Sequence, residues 1–359
     1  MVKTKRHLKN KNKNKTKKNY IKKIIIDSNI ESGNIKLISK KNNTINLEIE
    51  NEPYPKYTKK KYQNWFYFKV SNITNEKLKF IIHNIRNFDN DWKGFNVCYS
   101  YDNNIWKRKK IKLNNNNLSW NFLSKKKVVY FAYYPPYPFS KSKSLFKESK
   151  IIGRTKDKNP ILMKTFGNGP RKIWLISGQH PGETINSWML EGFYKRMMER
   201  KNKLFKKYTF YIIPNANPDG NQRGHWYVTS KGVNMNRDWD KFKSPEVKAI
   251  KKQIDNIGYF LVFDLHGDEG SKNHFLVELK NKHHLFDKIN KKLNKKNKHF
   301  QLENYYKGAY MKEVNDTLDE YTMGITVEGA MKHPIFNHKT IQDEALYIGK
   351  NIADTLMEI

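Results

Sequence analysis

A short motif, His180-Pro181-Gly182-Glu183, places a histidine and a glutamate three positions apart, and a further histidine, His266, stands at the end of an apolar run. Two imidazoles and one carboxylate are the ligand set that a catalytic zinc ion uses while its fourth position stays open to water. A structural zinc ion usually takes four protein ligands, often thiolates, and this sequence has a single cysteine, Cys98. If these residues converge, they predict one zinc ion in a metal-dependent hydrolase.

The elements that must position these residues alternate between strands and helices after residue 135. Strands are predicted at 172–177, 208–213, 259–265, 275–279 and 324–328, and helices at 184–200, 245–257, 283–296 and from about 340. Continuous apolar strands alternating with helices predict a mixed, mainly parallel sheet with helices on both faces. Ligands bind beyond the carboxyl ends of such strands. The predicted metal ligands and Glu328 all fall at strand ends.

The preceding part of the chain shows a different pattern. Short aromatic or β-branched runs at 35–38, 45–49, 65–70, 78–82, 95–100 and 128–133 are separated by turn residues. This spacing predicts an all-β sandwich. A proline-rich segment, Pro135–Pro138, follows and favours a boundary. We therefore predict a basic tail over 1–26, a β-sandwich domain over 27–134 and an α/β domain over 135–359.

The charge is strongly positive, at +36 for 359 residues. Residues 1–23 hold ten lysines and one arginine with no acidic residue, which predicts a disordered segment. Such a tail suits contact with a polyanion, while lysine and asparagine bias along the whole chain is the plainer interpretation. We expect no secretory signal and no membrane span. With one cysteine, a cytoplasmic location is the expectation, and the tail leaves a nuclear one open.

Five motifs in a fixed order carry a family resemblance. They are His180-Pro181-Gly182-Glu183, Asn217-Pro218-Asp219-Gly220, Asn234-Met235-Asn236-Arg237, Asp264-Leu265-His266-Gly267 and Thr326-Val327-Glu328-Gly329. The chain resembles the zinc metallocarboxypeptidases, and most of all their cytosolic carboxypeptidase branch, in which a β-sandwich precedes the peptidase domain. The resemblance implies that 135–359 is a zinc carboxypeptidase domain.

The resemblance also implies roles for single residues. His180, Glu183 and His266 would ligate zinc. Glu328 would be the general base that takes a proton from water and passes it to the leaving amine. Arg237, with Asn236, would hold the terminal carboxylate of the substrate, because a guanidinium can bind both of its oxygens.

Two positions depart from the family pattern. The family usually has a second arginine that stabilises the oxyanion, and its place here falls on Tyr227, with Arg223 four residues earlier as the other candidate. Asn234 stands where the family often has an aspartate behind a ligating histidine. Many relatives also place a tyrosine over the substrate, for which Tyr305, Tyr306 and Tyr310 are the candidates.

Three functions follow from these residues. The first is a carboxypeptidase acting on the C-terminus of peptides or proteins, with C-terminal glutamate or aspartate as the leading side-chain preference. The second is a zinc amidase or deacylase acting on small acyl-amino acids or cell-wall peptides. The third is a weakly active protein that binds zinc and acidic tails, an alternative that the loss of an arginine at Tyr227 keeps open.

Overall fold

A computed structural model of the protein describes residues 23–54, 63–85, 92–277, 284–300, 323–332 and 338–359. Residues 1–22 lie outside this set, so the disorder of the basic tail and its polyanion contact stay predictions. So do the candidate residues Tyr305, Tyr306 and Tyr310. None of the helices within the described ranges is long and apolar enough to cross a membrane.

The first group of elements consists of strands that form two five-stranded sheets. The strands are β1 (Ile25–Asp27), β2 (Lys36–Lys41), β3 (Thr44–Glu48), β4 (Tyr67–Ser71), β5 (Lys77–Ile82), β6 (Asn96–Ser100), β7 (Lys107–Lys110), β8 (Lys112–Asn114), β9 (Asn117–Leu123) and β10 (Val128–Ala132). One sheet has the order β1-β4-β10-β6-β7 and the other β2-β3-β5-β9-β8. The pairs are antiparallel, except that β3 runs parallel to β5.

Alternating side chains build the core between these sheets. Along β5, Leu78, Phe80 and Ile82 are buried, whereas Lys77 and Lys79 are exposed and Ile81 is half-buried, which is the period of two that a half-buried strand shows. The Phe80 ring lies 5.0 Å from that of Phe131 on the other sheet and 5.2 Å from that of Trp120. Aromatic contacts across the two sheets confirm the predicted β-sandwich.

The second group of elements alternates between strands and helices. Its strands are β11 (Lys150–Arg154), β12 (Pro160–Phe166), β13 (Arg171–Ser177), β14 (Tyr208–Ile213), β15 (Leu261–Asp268), β16 (Phe275–Val277) and β17 (Met323–Ala330). Its helices are α1 (Phe139–Leu145), α2 (Ile185–Glu199), α3 (Lys201–Lys207), α4 (Pro218–Gln222), α5 (Pro245–Ile257), α6 (His284–Lys296) and α7 (Ile341–Met357). The segment 133–138 lies between the two groups, and the domain division at residue 134 stays a prediction.

The seven strands form one mixed sheet with the order β11-β12-β14-β13-β15-β17-β16. The four central strands, β14, β13, β15 and β17, are parallel to one another, and the outer strands β12 and β16 pair with them antiparallel. On β13, Ile173 and Leu175 belong to the core that holds α2, whereas Trp174 and Ile176 pack with the apolar side chains of α5. Helices therefore cover both faces, which confirms the predicted fold class.

The strands that the sequence did not predict lie mainly at edges. β7 and β8 are short, lysine-rich and largely exposed, so they lack an apolar alternation. β15 is also longer than predicted, because its ladder with β17 continues through His266↔Glu328 to Asp268↔Ala330. His266 is consequently inside a strand, two residues before its end.

Two helices cross closely on one face of the large sheet. A Cβ added to Gly349 of α7 would lie 1.8 Å from the carbonyl oxygen of Met189 on α2. We expect Gly349→Ala to lower the free energy of unfolding by about 1–3 kcal/mol or more, because the helices must separate. Intrinsic helix propensity alone would give a stabilisation of up to about 1 kcal/mol.

Urea denaturation measures the difference. Gly270→Ala serves as the control, because its added Cβ would meet only Asp268 Oδ1, at 3.4 Å. An increase in stability for Gly349→Ala would show that α2 and α7 do not pack at this distance.

Candidate metal centre and substrate cavity

The turn between β13 and α2 carries the first two predicted ligands. His180 and Glu183 are both 3% exposed and come just before the first turn of α2. The turn is tight because Gly182 lies against Trp226: an added Cβ would lie 2.3 Å from the indole ring. The Gly182 N–H also donates to the carbonyl oxygen of Trp226 at 3.0 Å. A side chain at position 182 would therefore displace the turn that carries the ligands.

Glu183 joins the two histidines. Its Oε1 lies 2.8 Å from His180 Nδ1 and its Oε2 lies 3.0 Å from His266 Nδ1. Oε2 also accepts the backbone N–H of Gly267 at 2.9 Å. The ligand atoms of the three residues lie within 4.8 Å of one another. The sequence prediction that these residues converge agrees with this geometry, and the donor set fits a zinc ion.

The far nitrogen of each imidazole is held by a polar side chain. His180 Nε2 lies 3.1 Å from Asn234 Oδ1, and His266 Nε2 lies 3.0 Å from Asp264 Oδ2. Asn234 Oδ1 and Asp264 Oδ2 can each accept from a protonated Nε2, and the Nδ1 of each ring faces the Glu183 carboxylate at the centre. This is the arrangement that orients metal-ligating histidines.

Asp264 belongs to a buried series of hydrogen-bonded side chains that the sequence analysis did not predict. Its Oδ2 also accepts from Gln179 Nε2 at 2.7 Å, and Gln179 Oε1 accepts from the Trp239 indole at 2.9 Å. Asp264 stands two residues before His266 on one strand, and side chains at that spacing share a face. That spacing was the signal available in the sequence.

The charged side chains of the centre shift one another's pKa values. Burial opposes ionisation of Glu183, yet His180 and His266 hold the pKa of its carboxyl at about 2. Burial also lowers the pKa of His266, but Asp264 and Glu183 outweigh it and raise that pKa well above the usual value. The cluster is therefore built to attract positive charge at its centre.

Glu328 lies beside His266, as its register partner on β17. It lines a cavity of about 130 Å³ together with the three ligand residues. Burial raises the pKa of the Glu328 carboxyl well above its usual value, while His266 acts in the opposite direction. A divalent cation at the centre would also favour the carboxylate.

The remaining wall of the cavity includes Asn236, Arg237 and Tyr227. Asn236 and Arg237 are part of a 3₁₀ turn, Met235–Arg237, whose Met235 side chain is buried. The carboxylate of Asp238 accepts from the N–H groups of Lys243 and Ser244 at 2.8 and 2.7 Å and fixes the following loop. Arg237 itself lines the cavity, and its Nη1 donates to the carbonyl oxygen of Asn236 at 2.6 Å.

The two candidates for oxyanion stabilisation lie in different places. The Tyr227 ring stacks on the His180 ring, with centroids 3.9 Å apart and planes at 15°. The side chain of Arg223 is 56% exposed and its Nε lies 2.8 Å from Asp157 Oδ2. Arg223 is not among the described residues that line the cavity. Among the residues that the structure describes, the predicted metal ligands, Glu328, Asn236, Arg237 and Tyr227 line one cavity, and Arg223 does not.

Comparison with known proteins places the chain in a family. A cytosolic carboxypeptidase N-terminal domain matches residues 26–134, and a zinc carboxypeptidase domain matches residues 139–342. The chain therefore belongs to the zinc carboxypeptidase family, whose members are peptidase hydrolases. The resemblance seen in the motifs is confirmed.

Individual relatives agree with this assignment. The chain is 30% identical over 269 residues to an uncharacterized protein of Zymomonas mobilis, covering 70% of each. It is 25% identical to human cytosolic carboxypeptidase 1, over 70% of this chain but only 26% of the human protein. A metallo-carboxypeptidase structure from Burkholderia cenocepacia shares the fold, with a TM-score of 0.81, 23% identity and coverage of 93% and 98% of the two chains.

A test of the metal centre follows from the hydrogen bond behind His266. Asp264→Asn removes the charge that holds the imidazole, and we expect zinc affinity to fall by about 10–100-fold. Competition with a chelator measures the affinity. The control is Asp255→Asn, an exposed carboxylate paired with Lys251. Unchanged affinity in Asp264→Asn would show that this contact does not support the metal.

Proposed function

We propose that this chain is a carboxypeptidase that hydrolyses the C-terminal peptide bond of peptides or proteins and holds one zinc ion through His180, Glu183 and His266. One observation supports this above all. The three convergent ligand residues, the Glu328 carboxylate and the Arg237 guanidinium line a single cavity. A site of this kind can hold a terminal carboxylate and hydrolyse the bond before it.

Arg237 defines the end of the substrate. Its guanidinium can form two parallel hydrogen bonds to a carboxylate, and Asn236 beside it adds an amide donor. A substrate without a free carboxylate lacks this contact and is not positioned. This contact supports a substrate that ends in a free carboxylate, as the C-terminus of a peptide or protein does.

Glu328 transfers the proton during hydrolysis. Zinc, when bound, supplies an activated water and polarises the scissile carbonyl. The Glu328 carboxylate accepts a proton from the attacking water and then donates it to the nitrogen of the leaving residue. Burial raises the pKa of the Glu328 carboxyl above its usual value. A raised pKa suits a group that must first accept a proton from water and then donate it to the leaving nitrogen. A protein that only binds acidic tails has no use for such a group.

Tyr227 is the described residue best placed to assist the developing oxyanion. Its ring lies over His180 at the cavity wall, and its hydroxyl can donate where the family usually has an arginine. A neutral donor stabilises negative charge less than a guanidinium does. We therefore propose a slower carboxypeptidase than relatives that keep the arginine.

A preference for C-terminal glutamate or aspartate remains a proposal supported by the net charge of +36. The described cavity wall does not add to this support, because the carboxylates of Asp268 and Glu269 lie there beside the guanidinium of Arg237 and would repel an acidic side chain. A peptide library that varies only the last residue, read by mass spectrometry, compares acidic, neutral and basic C-termini. Faster release of lysine than of glutamate would rule out the acidic preference.

We also propose a cytoplasmic location. It is supported by the names of relatives such as human cytosolic carboxypeptidase 1 and by the free, buried thiol of Cys98. The nuclear alternative depends on the basic tail, most of which lies outside the described residues.

The role of Glu328 has a direct test. Glu328→Gln keeps the shape of the side chain but cannot accept a proton, so we expect kcat to fall by roughly 10²–10⁴. Zinc content, measured by elemental analysis, should stay at the wild-type level. Turnover near that of the wild type in the zinc-loaded variant would overturn the proposed mechanism.

The role of Arg237 is tested with paired substrates. The wild type should cleave a peptide with a free C-terminus and leave its amidated counterpart almost untouched. In Arg237→Gln, kcat/KM for the free peptide should fall by roughly 10–100-fold, because a charge-assisted hydrogen bond is worth about 1.5–3 kcal/mol. Equal cleavage of both peptides by the wild type would indicate the amidase instead.

A further inference from the structure

Glu52, in the segment after β3, contacts the metal-site region although it belongs to the β-sandwich part of the chain. It is 5% exposed. Its Oε2 accepts the backbone N–H groups of Tyr227 at 2.8 Å and Val228 at 3.0 Å, across 175 residues of sequence in the first case. Its Oε1 accepts the Tyr54 hydroxyl at 2.8 Å. A carboxylate of the first domain thus holds the turn that carries Tyr227.

The same turn is tied to the metal-binding motif from its other side. The Gly182 N–H donates to the Trp226 carbonyl oxygen at 3.0 Å. That carbonyl and the Tyr227 N–H belong to one peptide unit, which is planar and rigid. The 226–227 peptide is therefore hydrogen-bonded at both ends, to Glu52 on one side and to the turn between His180 and Glu183 on the other.

Neighbouring contacts seat the preceding residues on the β-sandwich as well. Asn34 Nδ2 donates to the Gly224 carbonyl oxygen at 2.9 Å. The Ser32 N–H donates to the Gln222 carbonyl oxygen at 3.1 Å. The loop from 222 to 228 is therefore held at several points, and of these contacts the one from Glu52 is made to the backbone of Tyr227 itself.

Tyr227 transmits this restraint to the site. Its ring stacks at 3.9 Å on His180, whose Nδ1 faces the metal centre. If the 226–227 peptide turned, the ring could not keep this stacking distance, since its Cα is part of that peptide plane. Both the orientation of the imidazole and the position of the Tyr227 hydroxyl depend on the peptide.

We propose that Glu52 is a positioning residue of the metal site, which fixes the 226–227 peptide and thereby holds Tyr227 over His180. One side chain of the β-sandwich then positions a residue of the metal site. The effect on turnover rests on the function proposed above, whereas the effect on zinc binding does not.

The environment of Glu52 fits a specific role. Burial raises the pKa of its carboxyl to about 7, while hydrogen bonds from Tyr227, Tyr54 and Val228 act in the opposite direction. Burying a carboxylate is unfavourable unless it accepts several hydrogen bonds. Here the bonds that offset that burial are largely those to the Tyr227 turn.

The experiment compares matched carboxylates. Glu52→Leu removes the acceptor, and we expect kcat to fall on the order of 10², the loss that a misplacement of about 1 Å can cause. Zinc affinity in a chelator competition should fall as well. Glu52→Gln should retain most of the wild-type kcat and zinc affinity, because its amide oxygen can still accept the two N–H groups.

Glu31→Leu is the control. Glu31 also belongs to the first domain and accepts from the second, through the N–H and hydroxyl of Ser140, but it does not touch the Tyr227 turn. Its loss should leave kcat and zinc affinity close to those of the wild type. Equal losses in Glu31→Leu and Glu52→Leu would overturn the proposal in favour of a general role in domain packing.

A double-mutant cycle separates positioning from stability. In a Tyr227→Ala background, Glu52→Leu should cause little further loss of kcat or zinc affinity, because the group it positions is gone. Fully additive losses would overturn the proposal. Glu52→Asp, which is too short to reach both N–H groups, gives the same comparison if the leucine variant does not fold.

Different measurements would refute the proposed function and the proposed role of Glu52. Normal zinc binding without turnover in the wild type would refute the carboxypeptidase and leave the effect of Glu52 on zinc affinity measurable. An active wild type whose Glu52→Leu variant matches it in kcat and zinc affinity would refute the role of Glu52 alone.

Discussion

The site depends on one buried carboxylate that two histidines share. Glu183 reaches His180 within its own turn and His266 on a separate strand, and it accepts the Gly267 N–H of that strand as well. A carboxylate so deeply buried is tolerated only because it is fully hydrogen-bonded and faces positive charge. The same constraint makes the centre suited to a cation, since two Nδ1 atoms and a carboxylate converge where a proton or a metal must balance the charge.

The sheet supplies the precision that this arrangement needs. β13, β15 and β17 are neighbours and parallel, so their carboxyl ends meet at one edge. His266 and Glu328 are paired in register, which puts the proposed base beside a ligand without making it one. Side chains on rigid strands keep such distances better than side chains on loops do.

The loops that complete the cavity are fixed by other means. The turn with Arg237 is anchored by buried Met235 and by the hydrogen bonds of Asp238. The turn with Tyr227 is held between the metal-binding motif and the β-sandwich. In this chain, the part that matches a zinc carboxypeptidase domain is preceded by a β-sandwich whose side chains reach the turn with Tyr227, and hydrogen bonds as well as the chain join the two parts.

Local patterns in the sequence determined the elements and the proposed ligands. Apolar strands and the ordered motifs depend on neighbours a few residues apart, so they are visible without a fold. The choice between Tyr227 and Arg223 was not visible, because the direction of a side chain in a loop depends on what packs against it. Glu52 also entered only with the tertiary structure, which brings it to a turn 175 residues away. Contacts of that separation are set by how the sheets dock, and no local spacing encodes them.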